Sequence, residues 1–203
     1  MAEVIIVPEG GLRRDIRVEA GKRTDLVLAV MPGVSCDVAL DVTLAGEGAE
    51  ANIYGAYVCG GEEKVKIGVD MHHDVPHCNS RQLFKGIAGG NSRVDFYGKI
   101  IVAPDAQRTE AYQENHNILL SDDARVDTKP QLEIYADDVK CSHGATIGRL
   151  NEEEQFYMRS RGITLEDAKV LQMISFLAPV LEAIPESERE SIAAHIETSI
   201  RNI

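Results

Sequence analysis

From Val4 to about Cys141 the chain is written in short pieces in which apolar and polar residues alternate. Val38, Leu40, Val42 and Leu44 interleave with Asp37, Ala39, Asp41 and Thr43, and Val65, Ile67, Val69 and Met71 interleave with Lys64, Lys66, Gly68 and Asp70. Leu132 and Ile134 repeat the pattern beside Gln131 and Glu133. A period of two sends successive side chains to opposite faces, so each piece predicts a strand with one face buried. Turn chemistry separates the pieces: Pro8-Glu9-Gly10-Gly11, Pro32-Gly33, Gly46-Glu47-Gly48, Gly60-Gly61, Gly89-Gly90-Asn91 and Ala103-Pro104-Asp105. No helical pattern interrupts them. Such a body is a sandwich or a solenoid, and internal echoes speak for the solenoid. Residues 51–55 resemble residues 94–98, and Arg93-Val94-Asp95 returns as Arg125-Val126-Asp127. The two offsets differ and no single repeat length divides both, so the pattern alone leaves both architectures open. A solenoid predicts contacts at a nearly constant spacing, here taken as about 20 residues.

After Leu150 the periodicity changes. Asn151 with Glu154, Thr164 with Asp167, and Ser187 with Glu190 have the spacing of helix-opening capping boxes. The first helix should stop at Gly162. The second should turn Ala168, Leu171, Ile174, Ala178 and Leu181 toward the body, with Pro179 kinking or ending it. The third sets Ile192, Ile196, Ile200 and Ile203 on one stripe. The expected organisation is a β-body over residues 1–150 and a helical tail over 151–203.

Composition narrows the classes. A chain of 203 residues can bury one sizeable core. Tryptophan is absent and aromatics make up 5%, which predicts thin layers of Val, Ile, Leu and Ala. A net charge of −12 argues against a nucleic-acid partner, since phosphate contacts need a basic face. The longest apolar run, Leu26 to Met31, is too short to cross a bilayer, and the first residues carry no basic segment of a secretion signal. Four cysteines with no C-x-x-C pair predict reduced thiols and a cytoplasmic location without membrane insertion.

Three constellations carry candidate chemistry. In Asp137-Asp138-Val139-Lys140-Cys141-Ser142-His143-Gly144-Ala145-Thr146, the thiol of Cys141 and the imidazole of His143 fall two positions apart on an extended segment. They therefore project from one side, and soft sulfur beside a borderline nitrogen suits iron, zinc or copper. The bland alternative is a buried Cys and a hydrogen-bonded His. Met71-His72-His73-Asp74-Val75-Pro76-His77-Cys78 holds three of the six histidines; His72 and His77 could ligate a transition metal or could simply end a strand. Cys36, Cys59 and Cys78 recur at intervals close to the presumed coil length, and would stack on successive coils if that length held. Small cysteines filling a thin core is the favoured account. Cys141 as a nucleophile would need a third group to orient His143, and no phosphate loop of the Walker type is present: Gly86 to Gly90 lacks the following Lys-Ser/Thr.

Ser80-Arg81-Gln82-Leu83-Phe84-Lys85-Gly86-Ile87, Phe96-Tyr97-Gly98-Lys99-Ile100, Ala106-Gln107-Arg108-Thr109, Gln113 to Leu120, Thr128 to Ile134, the Cys-Ser-His-Gly-Ala-Thr core and Ser160-Arg161-Gly162-Ile163 occur in this order. Together they resemble the SufB/SufD family, scaffold components of the Suf iron–sulfur cluster assembly machinery, from about Val75 to Leu181. The resemblance implies a right-handed parallel β-helix with C-terminal helices. It implies a non-enzymatic scaffold subunit that pairs with a SufB-like or an identical subunit. A SufC-type ATPase would dock on the helices near Ser160, Arg161 and Gly162. A transient iron–sulfur cluster, shared with a partner and not tightly held, is the implied cofactor. Within the family the chain looks more like SufD. The cluster-handling cysteine that SufB-like members carry before T-x-P falls at Ala124, and their acidic residues around the histidine are Ser142 and Gly144 here. SufD-like members supply the histidine, matched by His143, with Cys141 as the accompanying thiol. Family members are usually about twice this length, so the chain is expected to be a fragment or a reduced member. Two other readings stay open: a stand-alone metal-dependent enzyme using His72, His73, His77 or Cys141 with His143, and a subunit in which the Cys-Ser-His segment only packs.

Overall fold

The computed structural model describes residues 2–201 and 203. Eleven strands precede three helices among them: β1 Glu3–Ile6, β2 Gly10–Val18, β3 Arg23–Val30, β4 Cys36–Leu44, β5 Glu50–Cys59, β6 Lys64–His73, β7 Asn79–Ala88, β8 Arg93–Val102, β9 Glu110–Leu119, β10 Arg125–Ile134, β11 Lys140–Gly148, then α1 Glu152–Ser160, α2 Leu165–Leu181 and α3 Glu186–Ile200. Every pairing is parallel, and odd and even strands segregate. One sheet runs β1-β3-β5-β7-β9-β11 and the other β10-β8-β6-β4-β2. Consecutive strands thus alternate between the two sheets, which is a β-helix wound with two strands per coil.

The coil is longer than the spacing of about 20 residues expected of it. Asn52 bonds to Asp25 on the preceding coil, 27 residues back, and Gln113 to Gln82, 31 residues back. Strands of 10 residues joined by two turns require that length. The echo between Arg93-Val94-Asp95 and Arg125-Val126-Asp127 is therefore a true coil repeat, in register. The other echo is not: residues 51–55 lie in β5 and 94–98 in β8, on opposite sheets, so it spans three half-coils.

The alternation falls as read. Val38, Leu40, Val42 and Leu44 are buried, as are Val65, Ile67, Val69 and Met71, while Lys64 and Lys66 face solvent. Cys36, Cys59 and Cys78 are all buried in this inner core. They do not stack, because Cys36 opens β4, Cys59 closes β5 and Cys78 precedes β7; they fill the thin interior.

Asn151 Oδ1 accepts from the Glu153 and Glu154 N–H groups at 2.9 and 3.2 Å, and Thr164 Oγ1 from the Asp167 N–H at 3.0 Å, so α1 and α2 open at the expected caps. Gly162, with φ of 89°, follows α1. Helix α3 starts one residue before Ser187, with Pro185 at its cap and no side-chain cap bond. The fixed φ of proline suits a helix entry, where an N–H is not required. The buried residues of α2 are Ala168, Val170, Met173, Leu177, Val180 and Leu181, so Ala168 and Leu181 turn inward as expected, whereas Leu171 is 47% exposed. Apolar residues surround most of this helix, so its period cannot choose the face; the sheet beneath does. Ile192, Ile196 and Ile200 are buried and Ile203 is 41% exposed. The helices close a second core over Val27, Ala29, Met31, Ala56, Val58 and Ile87 on the outer face of the odd-numbered sheet. No described helix is long and apolar enough to cross a membrane.

Candidate functional site

Strands β10 and β11 are the last of their sheets, so the coil stack ends with two edges that no further strand covers. Cys141 pairs in register with Ala111 and His143 with Gln113 on β9. Ala111 and Gln113 are buried on the inner face, and side chains in register on parallel strands share a face. Cys141 and His143 therefore lie on the interior side of the terminal coil. Cys141 is half-buried against the inner core and His143 is exposed at its mouth.

The pair presents two donor groups, one thiol and one imidazole. Burial pushes the Cys141 thiol above its ordinary value, so it is protonated at neutral pH, and capture of a metal there must release a proton. Asp138 pairs with Arg108 at 3.6 Å and its backbone N–H donates to Gln107 Oε1 at 2.8 Å. Asp138 is thus engaged with Arg108 and Gln107, whereas a Cys–His nucleophile calls for a third group that orients the imidazole. Tetrahedral iron or zinc takes four donors, so an ion held by this pair would need two more from sulfide or another chain.

Beneath the pair runs a polar interior that alternation did not disclose. Gln82 and Gln113 are 2% and 1% exposed, and Gln113 Nε2 donates to Gln82 Oε1 at 2.9 Å. Asn117 Nδ2 donates to Asn115 Oδ1 at 2.8 Å, and Asn115 Nδ2 to the Tyr57 hydroxyl at 3.0 Å. The strand Gln113-Glu114-Asn115-His116-Asn117 is polar on both faces, which hides its period. On the outer face His116 contacts Thr146 Oγ1 at 2.9 Å and Glu114 Oε2 at 3.1 Å, fastening β11 to β9.

The side chains of the histidine-rich stretch diverge. His72 and His73 point to opposite faces of β6: His73 is fully buried with Nε2 2.9 Å from Ser80 Oγ, and His72 lies outside, 3.7 Å from Asp41. His77 sits exposed in the following turn, 3.8 Å from Glu47. Among the described residues no three His, Cys, Asp or Glu side chains converge to hold a metal. Ser160, Arg161 and Gly162 end α1: the Ser160 hydroxyl donates to Tyr157 O at 2.7 Å, and the Arg161 guanidinium lies 5.3 Å from the Tyr157 ring. Phe156 and Tyr157 on the same helix are 73% and 60% exposed. A groove of about 810 Å³ is lined by Phe156, Leu165, Met173, Arg159 and Lys169 among others. Sequence reasoning missed Phe156 and Tyr157, although two adjacent aromatics in an aromatic-poor chain were the available signal.

Comparison with known proteins fits this architecture. Residues 13–176 match the family described as SUF system FeS cluster assembly, SufBD core domain. The chain is 48% identical over 127 residues to the iron–sulfur cluster assembly protein SufD of Escherichia coli, covering 62% of this chain and 30% of that protein. It is 30% identical over 178 residues to a SufBD family protein of Mycobacterium leprae, covering 83% and 45%. A chloroplastic protein of Arabidopsis thaliana is 39% identical over 143 residues, covering 70% and 30%. The chain thus spans less than half the length of these relatives.

Proposed function

The chain belongs to the SufBD core family of iron–sulfur cluster assembly proteins, and from that premise we propose that it serves as a SufD-like, non-catalytic scaffold subunit. Its cargo is a transient cluster, for which His143, with Cys141 beside it, supplies ligands at a junction between subunits. The observation that carries this reading is the open terminal coil. Two uncovered edges, β10 and β11, are strand templates for another chain, and the inner face they frame holds one thiol and one imidazole. Two donors are too few to keep a cluster alone, which favours sharing with a SufB-like or identical subunit. The SufC-type ATPase is assigned to α1, where exposed Phe156 lines the groove and the exposed Tyr157 ring lies 5.3 Å from the Arg161 guanidinium at the helix end. Divergence of His72, His73 and His77 speaks against the alternative metal-enzyme reading.

The test is His143→Ala. The reading requires normal melting and normal co-purification with a SufB-like protein and the ATPase, but impaired cluster maturation. Maturation at the wild-type rate, or a loss of several kcal/mol of stability as in a broken buried network, would make His143 structural. Docking is tested by Phe156→Ala with Tyr157→Ala; ATPase capture undiminished in the double variant would reject the assignment to α1.

A further inference from the structure

In the odd-numbered sheet one interior column runs through five coils in register: Leu26, Ile53, Gln82, Gln113 and His143. It changes from apolar to polar toward the open end. The two glutamines are as buried as the residues below them, so each carries the cost of a desolvated amide unless both of its ends are matched. Gln113 Nε2 is matched downward by Gln82 Oε1. Gln113 Oε1 has no partner. The fold also keeps room for this amide: a Cβ at Gly98, on the facing sheet, would collide with it. Above Gln113 in the column stands only His143.

We propose that Gln113 is the positioning residue of His143, its Oε1 accepting a ring N–H when the imidazole turns inward, which leaves the other ring nitrogen for the cluster. The inference rests on the reading of His143 as a cluster ligand. Ligating histidines commonly hold the second ring N–H on an oxygen acceptor, which fixes both tautomer and ring plane. An amide carbonyl suits that task because it accepts without adding charge to an already acidic protein. The bond from Gln113 to Gln82 anchors the acceptor from below, so the oxygen stays put while the ring approaches.

The experiment uses the full, metal-free chain labelled with nitrogen-15 at pH 8, with the His143 ring assigned by its loss in His143→Ala. Long-range nitrogen–proton correlation should find one predominant tautomer in the wild type, comparable amounts of both in Gln113→Leu, and one again in Gln113→Glu, which restores an acceptor oxygen. Cobalt(II), as the probe metal, should bind about 10- to 100-fold more weakly to Gln113→Leu, with Gln113→Glu recovering most of the loss. A wild-type tautomer in Gln113→Leu overturns the proposal, as does an even mixture in the wild type. Should Gln113→Leu fail to fold by circular dichroism, Gln113→Met keeps the length without the oxygen and is read the same way. If the tautomers behave as expected while His143→Ala matures clusters normally, positioning stands and the cluster-ligand reading is what fails.

Discussion

The Tyr57 hydroxyl lies 2.5 Å from Asn117 Oδ1, across 60 residues of chain and two coils of the interior. Gly86 stands between them in register, and a Cβ there would overlap the tyrosine ring. Only a bare backbone lets the ring lie across the middle coil. Tyr57→Phe, which leaves buried Asn115 and Asn117 short of a partner, should cost about 1–3 kcal/mol, and Gly86→Ala at least as much through overpacking. Chemical denaturation checks both; a Gly86→Ala protein as stable as wild type would mean that the ring does not lie there.

His73 makes stability depend on pH. Burial, and then the neighbouring His72, push its pKa down to about 4, against about 6.5 in an unfolded chain. Below pH 6.5 the unfolded state binds a proton that the folded state refuses. Stability is therefore full above pH 6.5 and falls as pH drops through the window to 4, by about 3 kcal/mol in all. His73→Asn should flatten that part of the profile, and an unchanged slope in this variant would assign the loss to carboxylates instead.

His77 and Arg108 adopt left-handed backbone conformations, with φ of 59° and 57°, at turns where earlier coils place Gly21 and Gly48. A side chain there is strained by about 1–2 kcal/mol. His77→Gly should raise the melting temperature while His77→Ala does not. A stabilisation of equal size in both would point to the charge of the ring rather than the backbone.

Asp15, Asp41 and Asp70 stand in register on adjacent strands β2, β4 and β6. Like charges placed directly opposite oppose pairing. At pH 8, Asp41→Asn should gain about 0.2–1 kcal/mol, and added salt should stabilise the wild type more than the variant. Identical salt responses would show that the row is already screened.

Removing everything after Gly162 should not leave a soluble β-body. Helices α2 and α3 cover Val27, Ala29, Met31, Ala56, Val58 and Ile87 on the outer sheet face, and an uncovered apolar patch of that kind drives association. Light scattering of the truncated chain checks this; a monodisperse product would mean that the helices are dispensable to the body.

Much of the architecture was legible because strand burial has a short, local signature. Alternation located the inner residues of β4 and β6, glycine and proline marked the corners, and the Asn151 and Thr164 caps opened α1 and α2. The family resemblance supplied the parallel winding that the same alternation could not distinguish from a sandwich. Cys141 and His143 were legible as neighbours on one side of a strand, because spacing alone sets that relation.

Other features depended on what lies across the interior. Coil length follows from two long strands and two turns, and the echo between β5 and β8 misled because half-coils on opposite sheets share a pattern. The buried face of α2 was undecidable from its own residues, since apolar side chains nearly encircle it and only the sheet beneath selects a stripe. The separation of His72, His73 and His77 required knowing which side of β6 faces inward. The same holds for Gln113: its sequence marks a polar residue in a polar strand, and only stacking between Gln82 and His143 gives its amide a direction. What a residue contributes to its own strand is written in the chain, whereas what it meets on the next coil, about 30 residues away, exists only once the coils are stacked.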